Sequence, residues 1–134
     1  MKWLGIILAS TAALLVVSAF AYSWWTNPRV IRELREDPQG ERAQKVMLLT
    51  LPSGKALPVN YLRDGATVYA AADFPWWREL RGEGGQGKVL IRGETLHGRI
   101  RVVEEDPELR ESVFARLRPT APRWMGTLVV IELD

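Results

Sequence analysis

Residues 3–25 read WLGIILASTAALLVVSAFAYSWW, a run without a charged side chain. A helix of that length reaches across the roughly 30 Å of a bilayer's hydrocarbon core. Trp3 at one end, and Tyr22, Trp24 and Trp25 at the other, suit the two water interfaces. The run predicts a single transmembrane helix within an anchor segment, residues 1–26. A cleaved secretory signal is the other reading, with Lys2 as its basic region and Ala19-Phe20-Ala21 as a small-x-small cleavage site. The apolar run continues past Ala21 to Trp25, which favours the anchor. Arg29, Arg32 and Arg35 follow the span, against Lys2 before it. The positive-inside rule then predicts a single-pass membrane protein with its C-terminal domain in the cytoplasm.

Residues 27–42 form a second segment. Asn27-Pro28 has the form of an N-cap followed by proline at the first helical position. Val30, Ile31 and Leu34 make one apolar stripe, and Pro38-Gln39-Gly40 ends the helix.

Residues 43–134 form the folded domain, and the period changes there. Val46–Leu51 is an apolar run of strand length, Pro52-Ser53-Gly54-Lys55 is a turn, and Ala56–Leu62 is a second strand. Asp64-Gly65 signals a hairpin into a third strand, Ala66–Ala72. Asp73–Arg81 predicts a short helix, and the glycines from Gly82 to Gly87 a flexible loop. Lys88–Arg92 is a fourth strand. In the fifth, Glu94–Glu104, Leu96, Ile100 and Val102 share one face with Gly98, while Thr95, His97, Arg99 and Arg101 share the other. Asp106-Pro107 caps a helix with Leu109, Val113 and Leu117 at i, i+4 and i+8, and Pro119 stops it. Thr127–Leu133 closes the domain as a sixth strand. Turns this tight leave no room for crossover helices, so the pattern predicts an antiparallel barrel rather than a parallel sheet.

Composition removes several function classes. The 18 basic and 16 acidic residues nearly cancel, which speaks against a nucleic-acid partner bound by phosphate neutralisation. Zero cysteines exclude a disulfide framework, a thiol nucleophile and a thiolate metal site, and one histidine excludes a multi-histidine metal centre. His97 is a solvated strand residue with no nucleophile or orienting carboxylate near it in sequence. The glycine cluster 82–87 follows a helix and enters a strand, the reverse of a dinucleotide fingerprint or P-loop. Glu104, Glu105, Asp106 and Glu108 form an acidic helix start that suits the dipole rather than a metal site.

Two short segments remain as candidate chemistry. Ser53-Gly54-Lys55 lies in a hairpin turn. Trp76-Trp77-Arg78 can wall a flat aromatic ligand by stacking, with the arginine set for a phosphate or carboxylate. Core packing of a short helix over the barrel is the other reading of the two tryptophans.

In order and spacing the chain from Val46 to Leu133 resembles the deazaflavin-dependent nitroreductase family of flavin-binding split β-barrels. The matching pieces are Leu48-Leu49-Thr50, Ser53-Gly54-Lys55, Leu57-Pro58-Val59-Asn60-Tyr61 with Arg63-Asp64-Gly65, and Trp76-Trp77-Arg78-Glu79-Leu80. Val89-Leu90-Ile91-Arg92-Gly93, the Asp106–Leu117 helix and Val129-Val130-Ile131-Glu132-Leu133 follow in family order. The resemblance implies a mainly β, six-stranded antiparallel split β-barrel with two short helices behind the transmembrane helix. It also implies a two-electron reductase that uses a deazaflavin coenzyme or FMN to reduce quinone-like or nitro acceptors. Lys55, Trp76, Trp77 and Arg78 become the expected cofactor-binding residues, with no side chain in a catalytic role. The family's phosphate turn has more basic residues than Leu51-Pro52-Ser53-Gly54-Lys55, where Lys55 alone remains. That departure points to the alternative of a non-catalytic, membrane-tethered binding or assembly module. A lipid-soluble quinone and a second copy of the chain are the expected partners, alongside the membrane itself.

Overall fold

The computed structural model describes residues 2–134, with the backbone alone described for residues 2, 4, 5 and 18–27. Three helices, α1 (Lys2–Glu36), α2 (Glu41–Lys45) and α3 (Pro107–Leu117), accompany seven strands and one 3₁₀ helix, Pro75–Leu80. The strands are β1 (Val46–Thr50), β2 (Ala56–Asn60), β3 (Leu62–Asp64), β4 (Thr67–Ala72), β5 (Gly85–Ile91), β6 (Glu94–Val103) and β7 (Thr127–Leu133). All pairings are antiparallel, in one curled sheet of order β2-β1-β5-β6-β7-β4-β3.

The sheet has seven strands, not six, and it is a half-barrel whose ladder stays open. The expected second strand divides at Tyr61. Its first part, β2, pairs with β1; its second, β3, pairs with β4. The chain therefore passes from one edge of the sheet to the other within a single residue. Successive Cα atoms lie about 3.8 Å apart, so the two edges must come close and the sheet must curl. Tyr61 is fixed at this joint. Its amide donates to the Lys45 carbonyl at 3.0 Å, and its hydroxyl donates to the Ala43 carbonyl at 3.1 Å. β2 then runs beside β4 without a ladder between them.

Both faces of the sheet are covered. Met47, Leu49, Leu51, Val68, Val89, Ile100 and Ile131 fill the inside of the curl. On the outside, α3 lays Val113 and Phe114 over Val103, Leu128 and Val130. The end of α1 lays Leu34 over Leu48 and Leu90. Two-sided burial explains why Val46–Leu51 and Leu128–Ile131 read as continuous apolar runs rather than alternating ones. β6 does alternate, with Leu96, Ile100 and Val102 packed inward and Thr95 and His97 exposed.

The glycines expected to form a flexible loop lie largely in a strand. Gly85 and Gly87 belong to β5 and pair with Ile100 and Gly98. A Cβ at Gly87 would collide with the Thr50 carbonyl oxygen and the Ile100 side chain. Glycine serves close packing there rather than mobility.

The amino-terminal expectations also change. α1 runs unbroken through Asn27-Pro28, so no new helix begins at Asn27. Among the described residues, no helix is long and apolar enough to cross a membrane. The expected span falls partly on side chains outside the described residues, those of 18–27. The transmembrane helix and the single-pass, cytoplasm-facing localisation are both set aside on this finding.

The packing of β6 gives a direct test. Ile100 is fully buried, so Ile100→Ala should cost about 2–5 kcal/mol in urea denaturation. Thr95, one pleat over on the exposed face, should cost within about 0.5 kcal/mol on replacement by alanine. Equal costs would place the strand in the wrong register.

Candidate functional site

Where the two sheet edges approach, the curl leaves a cavity of about 830 Å³. Pockets for small organic ligands run to about 300–1,000 Å³. Leu57, Val59 and Asn60 of β2 form one wall, and Trp76 of the 3₁₀ helix joins it. Arg118 and Thr120, from the stretch after α3, form another. Lys55 and Asp73 complete the charged lining among the described residues.

Lys55 owes its position to the turn before β2. The Leu51 amide donates to the Lys55 carbonyl and the Gly54 amide to the Leu51 carbonyl, both at 2.8 Å. Gly54 takes a φ of +92°, a conformation that favours glycine. Glu79 of the 3₁₀ helix fastens the turn from outside, accepting from the Ser53 amide at 3.3 Å and the Ser53 hydroxyl at 3.0 Å. The turn and the tryptophan helix are thereby one unit. Lys55 is exposed and enters no ion pair among the described residues.

The four expected binding residues separate. Lys55 and Trp76 line the cavity together. Trp77 packs against the inner core and lies 4.8 Å beneath the Arg81 guanidinium, a cation–π contact. Arg78 is exposed on the 3₁₀ helix and does not line the cavity. A 3₁₀ helix turns every three residues, so neighbouring side chains such as Trp76 and Trp77 diverge widely.

Asp73 and Arg118 were not legible as site residues. Arg118 donates from both Nη atoms to Asp73, at 2.7 and 3.0 Å, in a two-pronged ion pair. Its side chain is 17% exposed and that of Asp73 31%. Behind it, the Phe114 ring lies 5.7 Å from the guanidinium. The loop carrying this wall is tied down by two more arginines. Arg110 donates to the carbonyls of Met125 and Gly126, and Arg123 to those of Phe114 and Arg118. Asp73 and Arg118 stand 45 positions apart, so no local motif joins them.

His97 lies on the exposed outer face opposite Lys88 and away from the cavity. Its placement agrees with a solvated strand residue.

No family model matches the chain, and no curated protein does. Among solved structures, it is similar to a candidate pyridoxamine 5′-phosphate oxidase from Listeria innocua. The identity is 19%, with 77% of this chain and 93% of that one covered, at a TM-score of 0.49. It is also similar to a candidate 5-nitroimidazole antibiotic resistance protein from Bacteroides thetaiotaomicron. That match has 12% identity, covers 69% of this chain and 75% of the other, and has a TM-score of 0.44.

The clamp between the turn and the tryptophan helix can be measured. Glu79→Ala should lower stability by about 0.5–1.5 kcal/mol, the worth of an ordinary hydrogen bond. Ser53→Ala added to it should cost little more, giving a coupling above about 0.5 kcal/mol in a double-mutant cycle. Additive losses would mean that the two segments are held independently.

Proposed function

We propose that the chain is an oxidoreductase that holds FMN or a deazaflavin coenzyme in the cavity between the sheet edges and reduces quinone-like or nitro acceptors. One observation carries this reading. Lys55, whose ammonium group has no carboxylate partner among the described residues, and Trp76 line the same cavity, one at the turn and one at the 3₁₀ helix.

The residues fit a flat ring with an anionic tail. Lys55 offers a point charge for the tail. Trp76, Leu57 and Val59 offer an apolar wall for the ring, and Asn60 and Thr120 offer polar side chains for its edge or chain. Two-electron transfer is chemistry supplied by such a cofactor when bound, and the protein's part is binding and orientation. Lys55 would anchor the tail where the Ser53–Glu79 clamp holds the turn. Trp77 packs against the core beneath Arg81 and does not line the cavity.

A specific observation favours a second reading, a non-catalytic binding or assembly module. Only one cation lining the cavity lacks a carboxylate partner among the described residues, because Arg118 is engaged by Asp73.

Titration of the purified protein with FMN and with a deazaflavin coenzyme, read by fluorescence, separates the two. The cofactor reading predicts saturable binding that Lys55→Ala weakens by about 1.5–3 kcal/mol, the worth of a charged hydrogen bond. Added salt should weaken it too, since the contact is exposed. If neither compound binds the folded protein, the module reading stands instead.

A further inference from the structure

Two cations and one carboxylate line the cavity among the described residues, which leaves a single net positive charge. The distribution of that charge matters more than its sum. Lys55 enters no ion pair among the described residues, whereas both Nη atoms of Arg118 donate to Asp73. Phe114 backs the guanidinium, and Arg123 ties the Arg118 carbonyl. With its charge compensated by the Asp73 carboxylate, Arg118 adds little net positive charge to the cavity.

From this we infer that Asp73 is a specificity-determining residue. By neutralising Arg118, it sets the cavity to accept a ring compound whose tail carries one negative charge and to discriminate against a phosphate monoester dianion. The inference rests on the cofactor reading above and narrows it to a ligand class, a flat ring with a phosphodiester or other monoanionic tail. A phosphate monoester carries about −1.5 to −2 at pH 7. Lys55 alone leaves much of that charge uncompensated and brings it towards the Asp73 carboxylate. A diester brings one charge, and Lys55 matches it.

Three probes with the same ring test the point: riboflavin, FMN and the monomethyl ester of FMN, each titrated by fluorescence. The wild-type chain should bind the methyl ester more tightly than FMN. Asp73→Asn keeps the shape of the side chain and removes its charge. It should raise the affinity for FMN by about tenfold or more, the scale of a charged hydrogen bond, while leaving riboflavin nearly unchanged. Thr120→Lys adds a second cation at an exposed position that lines the cavity. It should also favour FMN over riboflavin, and it keeps the test open if Asp73→Asn fails to fold. Wild-type protein that binds FMN as tightly as its methyl ester would overturn the inference alone. So would variants whose FMN-to-riboflavin preference stays at the wild-type value. Absence of binding by all three probes to folded wild-type and variant proteins would overturn the cofactor reading and the inference with it.

Discussion

The passage of the chain through Tyr61 is the constraint on which the rest of the structure depends. β2 and β3 sit at opposite edges of a seven-stranded sheet, yet one residue separates them. A flat sheet would hold these edges several strand widths apart, at about 4.8 Å per strand. Only a curl brings them within reach. Tyr61 is held at the crossing by its amide on Lys45 and its hydroxyl on Ala43. Residues 43 and 45 belong to α2, which leads directly into β1, so the crossing is tied to the start of the sheet it closes.

The cavity follows from that geometry. The edges meet at Tyr61, and β2 runs beside β4 without forming a ladder. Side chains rather than backbone bonds must fill the gap, and elements outside the sheet supply its remaining walls. The 3₁₀ helix contributes Trp76, and the stretch after α3 contributes Arg118 and Thr120. Each wall is fastened separately: the turn before β2 by Glu79, and the loop after α3 by Arg110 and Arg123. A site held from several sides by short contacts is preformed, which reduces the ordering cost of binding.

Much of the architecture was legible in the chain. The apolar runs, the Asp64-Gly65 turn and the alternation of β6 mark strands in their observed places. Asp106 caps α3 as its position suggests, accepting from the Leu109 amide at 3.1 Å. The failures share a physical cause, which is that they depend on contacts distant in sequence. The division at Tyr61 is set by a hydroxyl reaching a carbonyl 18 positions away. Gly85 and Gly87 resemble a flexible loop until the strand they pack against is known. Trp77 and Arg78 separate from Trp76 because consecutive side chains on any helix point apart, by about 100° in an α-helix and about 120° in a 3₁₀ helix. The uncharged run at 3–25 was legible as a helix, but its length was no guide to a membrane span among the described residues. In the cavity, Lys55 and Trp76 stood out by residue type, whereas the Asp73–Arg118 pair had no local signature at all.

Amide chemical-shift mapping of the isotope-labelled protein, with a deazaflavin coenzyme or FMN added stepwise, tests most directly whether the gap between the sheet edges is the binding site. The account predicts that the shifts cluster at residues 55–60, 73–76 and 118–121, the three stretches that wall the cavity. Shifts centred instead on the outer face around Thr50, Lys88 and Thr95, where a smaller groove lies, would contradict it.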